Sequence, residues 1–351
     1  MHVYNRKSLG ISSDLFELRT FAMATDFVLM NRRTFGIRTA ALCFAAGMMA
    51  SPFSLAAEEP LLKIGVLPAA DSVLLYAAES EGFFQSRGLR IQLLPFKSAI
   101  EIGAAMRAGE LAGHYGDLIN VFTQNAAGAP QAVAATVTYA NPAERNFALV
   151  TRLGSNLTSL EDIKTHPGTD TAMSASTIID YLLDRMEETT GLPPSAMKRV
   201  EVRQIPIRLQ LLLAGKMETA LLPEPLCSLV ESKGGRALWD DRTLAEPLAV
   251  VAFRKTAVTP QTAAAFRAAL ADAAKAIESD PEKFRALMVK KSLLTKAAAA
   301  AYKMPTYAHF GTADGLPPLP SAADVKRTAD WMIGKGMIKT MPELHEVVFV
   351  P

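Results

Sequence analysis

Residues 108–122 read AGELAGHYGDLINVF, and residues 214–229 read AGKMETALLPEPLCSL. The two stretches look like one structural phrase written twice. Ala108-Gly109 aligns with Ala214-Gly215, and Glu110-Leu111 with Lys216-Met217. In each, a helix stops at a Gly, a short strand follows, and a polar loop opens a new helix. That loop is Tyr115-Gly116-Asp117 in the first copy and Pro223-Glu224-Pro225 in the second. The identity is weak, and composition alone would allow it. As a pattern it predicts two similar α/β lobes. A chain that builds two such lobes usually holds a ligand in the cleft between them.

Working outward, the mature chain alternates strand and helix signals. Leu61–Leu67 and Arg90–Phe96 read as strands, with a helical pattern over Val73–Glu81 between them and Gly82 placed to stop it. Ser98 with Glu101 predicts a capping box for a helix over Ala99–Ala108. Strands follow at Ala132–Tyr139 and Phe147–Thr151, with a bend at Asn141-Pro142. The second half repeats the alternation. A short helix is expected over Leu157–Lys164 and a strand over Asp170–Met173. The amphipathic helix Ile178–Thr189 comes next, then a strand at Arg199–Val202 and a helix from Pro206 to Ala214. Leu248–Phe253 is a strand able to return the chain to the first lobe. Thr259-Pro260 and Asp280-Pro281 cap further helices, and a last one covers 321–336. This order predicts parallel sheets with helices on their faces.

In such sheets ligands bind beyond the carboxyl ends of strands, where loops feed helix N-termini. Four loops fit: Pro68–Ser72, Tyr115–Asp117, Ser174–Thr177 and Pro223–Pro225. Ser72, Ser174, Ser176 and Thr177 offer hydroxyls beside free helix N–H groups. Each also reads as a plain N-cap. Asp71, Asp117 and Glu224 form a candidate carboxylate set, either acid/base groups or acceptors for a ligand N–H; capping or a salt bridge is the alternative. Arg208 lies in the first turn of a helix, where a cation opposes the dipole. That hints at a partner such as a ligand anion or a carboxylate, with a solvated surface arginine the plainer reading. Tyr76 and Tyr115 are candidate stacking residues, with core packing the plainer reading for Tyr76.

Charge and cysteine usage narrow the class. The chain carries 37 Lys/Arg and 35 Asp/Glu. Six of the basic residues and three of the acids fall in residues 1–57, so the rest is close to neutral. A nearly neutral body argues against nucleic-acid binding. Arg32, Arg33 and Arg38, the apolar run Ala40–Ala50, and the small residues Ser54–Ala57 read as an export signal cleaved near Ala56-Ala57. The run is short for a membrane anchor. Arg32-Arg33-Thr34-Phe35 resembles a twin-arginine signal, although Gly36 departs from it, so the general secretory route stays open. Met30 would begin this signal by itself, which makes residues 1–29 a non-native extension. Cys43 lies in the signal, and the bulky Leu42 before it argues against lipidation. Cys227 is then alone, without a disulfide or redox partner. His114, His166, His309 and His345 show no metal-ligand spacing, and no phosphate-loop, nucleophile-elbow or dinucleotide fingerprint is present. Neither a metal nor a cofactor is expected.

The stretch 63–96, KIGVLPAADSVLLYAAESEGFFQSRGLRIQLLPF, resembles the opening of periplasmic solute-binding proteins of the nitrate/sulfonate/thiamine-pyrimidine type. Ala78, Gly82, Phe83, Phe84, Gly88 and Leu89 match that family's phrase. AGELAGHYGDL (108–118) resembles its next step, and IPIRLQLLLAGKMETALLPEPL (205–226) the counterpart in the second lobe. Ala112 departs from the Asp usual there. The resemblance spans roughly 61–255. It implies an α/β two-lobe periplasmic-binding-protein fold, each lobe a mostly parallel sheet flanked by helices, with a hinge between. Lobe 1 is expected at 58–143 and 246–351, and lobe 2 at 144–245. It implies a monomeric periplasmic receptor that closes on a small organic solute and delivers it to the permease and ATPase of an ABC importer. Its binding loops map onto Asp71, Ser72, Asp117, Ser174, Ser176, Thr177 and Glu224. The same fold also hosts enzymes acting on thiamine-pyrimidine or menaquinone precursors. The single mature Cys and the export signal weigh against that alternative.

Overall fold

In a computed structural model of the chain, residues 59–307, Phe310 and residues 315–349 are described. The expected extension and signal (1–57) lie outside them. The first half runs β1 (Leu61–Val66), α1 (Val73–Ser80), β2 (Arg90–Pro95), α2 (Ala99–Arg107), β3 (Gly113–Gly116), α3 (Leu118–Ala126) and β4 (Gln131–Tyr139). The second runs β5 (Phe147–Thr151), α4 (Leu160–Thr165), β6 (Thr169–Met173), α5 (Ile178–Thr190), β7 (Met197–Glu201), α6 (Ile205–Leu213), β8 (Thr219–Pro223), α7 (Leu226–Ser232) and β9 (Ala237–Asp240). Then follow β10 (Pro247–Arg254), α8 (Pro260–Ser279), α9 (Pro281–Lys290), α10 (Lys296–Ala299), α11 (Ala322–Gly334) and α12 (Leu344–Val347).

The strands form two sheets, ordered β2-β1-β3-β10-β4 and β7-β6-β8-β5-β9. Each sheet is built to the same plan, so the repeated phrase at 108 and 214 marks a repeated architecture. Its punctuation is repeated bond for bond. After α2, the Gly109 N–H reaches Met106 and the Glu110 N–H reaches Ala105; after α6, Gly215 reaches Leu212 and Lys216 reaches Leu211. Both glycines hold positive φ, 77° and 67°, so both helices end in the same left-handed turn. In each sheet one strand runs against the rest: β10 is antiparallel to β3 and β4, and β5 to β8 and β9. These are the strands that enter from the opposite half. The chain therefore crosses between lobes twice, through 140–146 and 241–246.

Local signals explain most helix starts. Thr259 Oγ1 accepts from the Thr262 N–H and Asp280 Oδ1 from the Lys283 N–H, as the sequence predicts. Ser98 Oγ accepts from the Glu101 N–H at 3.2 Å, but the Glu101 carboxylate returns to the Lys97 N–H rather than to Ser98. α4 begins later than periodicity suggests, because Thr158 and Ser159 both bond Asp162 and hold the chain extended there. One core packs α1, α8 and α9 on the first sheet. A second joins the lobes: Leu118 and Phe122 of α3, Leu182 and Met186 of α5, and Ala329 and Met332 of α11 share it. α11 is fastened to lobe 2 by an edge-on contact of Trp331 with Tyr181 and a Trp331–Asp184 bond of 2.7 Å. Among the described residues no helix is long and apolar enough to cross a membrane.

Candidate functional site

The two crossovers meet at one buried carboxylate. Asp241 Oδ1 accepts from the backbone N–H groups of Asn146 and Phe147, each at 2.8 Å, and Oδ2 from the Asn146 amide. Burial raises the Asp241 pKa, and the bonds from Phe147 and Asn146 oppose that. Beside this joint lies a hollow of about 310 Å³, walled by Ala69–Asp71 of lobe 1, residues 143–147 of the first crossover, Glu224 and Ser228 of lobe 2, and Tyr302–Pro305. The lobes touch along one edge of it, where the Ala70 N–H donates to the Glu224 carbonyl at 2.8 Å.

Charges in the hollow are mostly spoken for. Arg145 Nε donates to Glu224 Oε1 at 2.7 Å and Nη2 to Glu231 Oε2 at 2.6 Å, with Ser228 as a further partner. Burial works against the Arg145 charge, but the bonds to Glu231 and the charge of Glu224 prevail and hold its pKa above the ordinary value. Glu224 Oε2 accepts from the Ser228 N–H. Arg242 is paired with Asp240 at 2.6 Å. Asp71 accepts from the Tyr115 hydroxyl at 2.6 Å and from Thr138. Burial raises its pKa, and those two bonds pull the other way. The Tyr302 phenol is raised by burial, then by Glu224 and Asp71.

The structure brings together only part of the predicted set. Asp71 and Glu224 line the hollow, and Tyr115 stands behind Asp71. Asp117 lies elsewhere between the lobes: Oδ1 accepts from the Asn120 N–H at 2.7 Å, capping α3, and Oδ2 from the Ile178 N–H of α5 at 3.2 Å. Burial raises its pKa against those backbone bonds. Ser176, at φ 60°, and Thr177 line a separate hollow, and Thr177 Oγ1 donates to the Ser174 carbonyl at 2.8 Å. Three side chains turn inward instead. Ser72 donates to the Ala69 carbonyl. Tyr76 is in the lobe 1 core, its ring under Lys291 at 4.5 Å. Arg208 is 1 % exposed and spends its N–H groups on the carbonyls of Val202 and Leu221, neither anion nor carboxylate. Burial brings its pKa down to about 10.

Sequence reading missed Arg145, Asn146, Asp241 and Tyr302. The adjacent opposite charges Glu144-Arg145 in a strand-to-strand bend were the available signal for the first. Tyr302 reaches the hollow from a distant segment, and no local pattern announces it.

The NMT1-like family model matches residues 55–291. The chain belongs to the NMT1-like family. No curated protein matches the sequence. Among solved structures, this NMT1-like chain is similar to the alkanesulfonate-binding protein SsuA from Xanthomonas axonopodis pv. citri bound to MOPS. That match has a TM-score of 0.65 at 20% identity, over 82% of this chain and 96% of that one. The periplasmic aliphatic sulphonate binding protein SsuA from Escherichia coli gives 0.61 at 16% identity, over 82% and 97%. The periplasmic nitrate-binding protein NrtA from Synechocystis PCC 6803 gives 0.55 at 16% identity, over 66% of each chain. At these identities the likeness is one of fold: two mostly parallel sheets in a two-lobe arrangement.

Proposed function

We propose that this NMT1-like protein is the periplasmic substrate-binding component of an ABC importer. The lobes close on a small organic solute in the hollow at the crossovers and present it, without converting it, to a permease and ATPase. The observation that carries this reading is the doubled sheet plan with a hollow at its joint, walled by both lobes and both crossovers. Hinge closure over such a joint buries a ligand and releases it on opening.

The charge balance favours a particular solute. Arg145 and Arg242 are already paired, so Lys303 is the only cation lining the hollow without a carboxylate partner among the described residues. Asp71 and Glu144 stand against it. A multiply charged anion would meet repulsion there. A neutral or mixed-charge planar molecule, such as an aminopyrimidine-like heterocycle, suits the site better. Its N–H groups would donate to Asp71 or Glu144, and Tyr302 offers an aromatic face.

Native mass spectrometry of freshly purified protein should catch a co-purifying solute. A thermal-shift panel should then separate heterocycles from alkylsulfonates and nitrate, since a bound ligand raises Tm by mass action. Asp71→Asn and Glu224→Gln should weaken the heterocycle response. Tight sulfonate or nitrate binding that survives both substitutions would overturn the solute class. Chemical conversion of the solute by pure protein would replace the receptor reading with the enzyme one. N-terminal sequencing of the periplasmic fraction should start near Ala57 or Glu58.

A further inference from the structure

A second hollow, of about 420 Å³, lies between α2 and α3 of lobe 1 and the loops after β6 and β7 of lobe 2. It shares no lining residue with the hollow at the crossovers. Its lobe 1 wall carries polar groups that the fold leaves unmatched. Gln124 is 2 % exposed, and its Oε1 has no hydrogen-bond partner among the described residues. Asn120 Oδ1 and Thr123 Oγ1, on the same face of α3, are buried and unmatched too. A buried acceptor without a donor costs about 1–3 kcal/mol, so three side by side call for an explanation. Gly103 makes the room: a Cβ there would lie 2.7 Å from Gln124 Nε2 and 3.5 Å from the Arg107 guanidinium. Arg107 is exposed and forms no ion pair among the described residues.

The lobe 2 wall adds a second guanidinium. Arg203 is exposed and among the described residues bonds only Glu201, at 3.0 Å. Glu201 is itself shared with the Ala175 N–H, and among the described residues it is the only carboxylate lining this hollow. A free guanidinium opposite a paired one favours a carboxylate, which it binds through two parallel N–H bonds. The unmatched oxygens of Gln124, Asn120 and Thr123 favour hydroxyl donors on the same molecule.

We propose that this hollow is a second binding site, which takes a small hydroxycarboxylate between Arg107 and Arg203 with a hydroxyl directed to the α3 oxygens. Because its walls come from both lobes, occupancy favours the closed arrangement. By linkage it then raises affinity for whatever binds at the crossovers.

The test uses the full mature chain, L-malate as the probe, and thermal shift with titration calorimetry. Malate should raise Tm equally in the unmodified protein and in Glu224→Gln, which alters only the other hollow. Arg107→Ala should weaken malate binding by about tenfold or more, the size expected for a lost charge-assisted pair. Gln124→Leu should weaken it less. Arg107 is a surface residue, so its variant reports even where Gln124→Leu does not fold. No response to malate, a response that survives Arg107→Ala, or one abolished by Glu224→Gln would each overturn the proposal. None of these outcomes bears on whether a solute binds at the crossovers.

Discussion

The third strand of lobe 1, Gly113–Gly116, and the third strand of lobe 2, Thr219–Pro223, hold the same place in their sheets. Gly65 pairs His114 in one, and Ala172 pairs Ala220 in the other. Tyr115 pairs Val251 where Leu221 pairs Leu149. Yet the contents differ. Lobe 1 puts an imidazole and a phenol into this buried strand; lobe 2 puts Ala and Leu there. A carboxylate follows each strand directly. Asp117 is short, caps its own helix and reaches only the facing backbone of α5. Glu224 is longer, accepts from Ser228 in its own helix and reaches Arg145 on the crossover. One scaffold position thus ties lobe to lobe in the first case and lobe to hinge in the second.

The sharpest way to break this comparison is to remove the partner of one carboxylate. Arg145→Ala leaves Glu224 nearly buried without its cation, and it also frees Glu231. The expected loss is about 3–5 kcal/mol in urea unfolding, the usual cost of stranding a buried charge. Arg145→Ala combined with Glu224→Gln should recover part of it. A loss below 1 kcal/mol for the single variant (roughly the value of a surface pair) would show that Glu224 is held by Ser228 alone.

The next test concerns the imidazole that lobe 2 lacks. His114 is fully buried, and neither ring nitrogen has a partner among the described residues. Burial lowers its pKa from 6.5 to about 4. The folded-state pKa is depressed, so the unfolded chain takes up the proton first as pH falls. The stability tied to a neutral His114 is complete above pH 6.5 and is lost progressively toward pH 4. The full effect is roughly 3 kcal/mol, since one pKa unit is worth about 1.4. His114→Leu should therefore unfold at higher urea than the unmodified chain at pH 4.5, with the gap closing by pH 7.5. Parallel curves at both pH values would exclude this origin. Asp71, Asp117 and Asp241 carry raised values and act in the opposite sense, losing stability as pH rises through them. Only the difference between the two proteins isolates His114.

Asp117 gives a smaller effect of a different kind. Asp117→Asn keeps an acceptor for the Asn120 N–H, so α3 stays capped. It loses the charge facing the Ile178 N–H, and with it about 1 kcal/mol of lobe-to-lobe attraction. Small-angle scattering should show a larger radius for Asp117→Asn and no change for Glu224→Gln. Equal radii would mean that other inter-lobe bonds, among them Ile205 N–H to Lys97, Gln204 to Glu101 and Ala70 N–H to Glu224, hold closure by themselves.

What was legible in the sequence is what the chain decides locally. Helix stops at Gly109 and Gly215, caps at Thr259 and Asp280, and the strand-helix alternation all rest on neighbours within five residues. The joint between the lobes does not. Asp241 meets Phe147 and Arg145 meets Glu224 across most of lobe 2, and Tyr302 arrives from beyond both. Arg208 shows the limit most clearly. A cation in the first turn of a helix hints at a partner, though solvation is the plainer expectation, and the buried Arg208 does have partners. The local pattern cannot say that the partners are the Val202 and Leu221 carbonyls, which become available only once α6 lies on β8. Ser72 is read from its loop position, but its hydroxyl donates back to the Ala69 carbonyl, and Tyr76, on α1, packs in the lobe 1 core, the plainer of its two readings.

The smallest expected effect is the most direct check that the two lobes are one design. Gly109 and Gly215 both sit two residues past a helix end at positive φ, and both donate back to the preceding turn. An L-residue with a Cβ pays about 1 kcal/mol in that conformation. Among the described residues, a Cβ at Gly109 would meet only the Arg254 guanidinium at 3.8 Å, and one at Gly215 only Arg152 Cδ at 4.0 Å. Neither site adds a clash, so backbone strain is the whole cost at both. Gly109→Ala and Gly215→Ala should therefore lower stability by the same amount, within the error of a urea melt, and the double variant by the sum, because the sites are too far apart to couple. Unequal losses would mean that one helix end is held by something besides its turn, and the likeness between the copies would then be one of outline rather than of energetics.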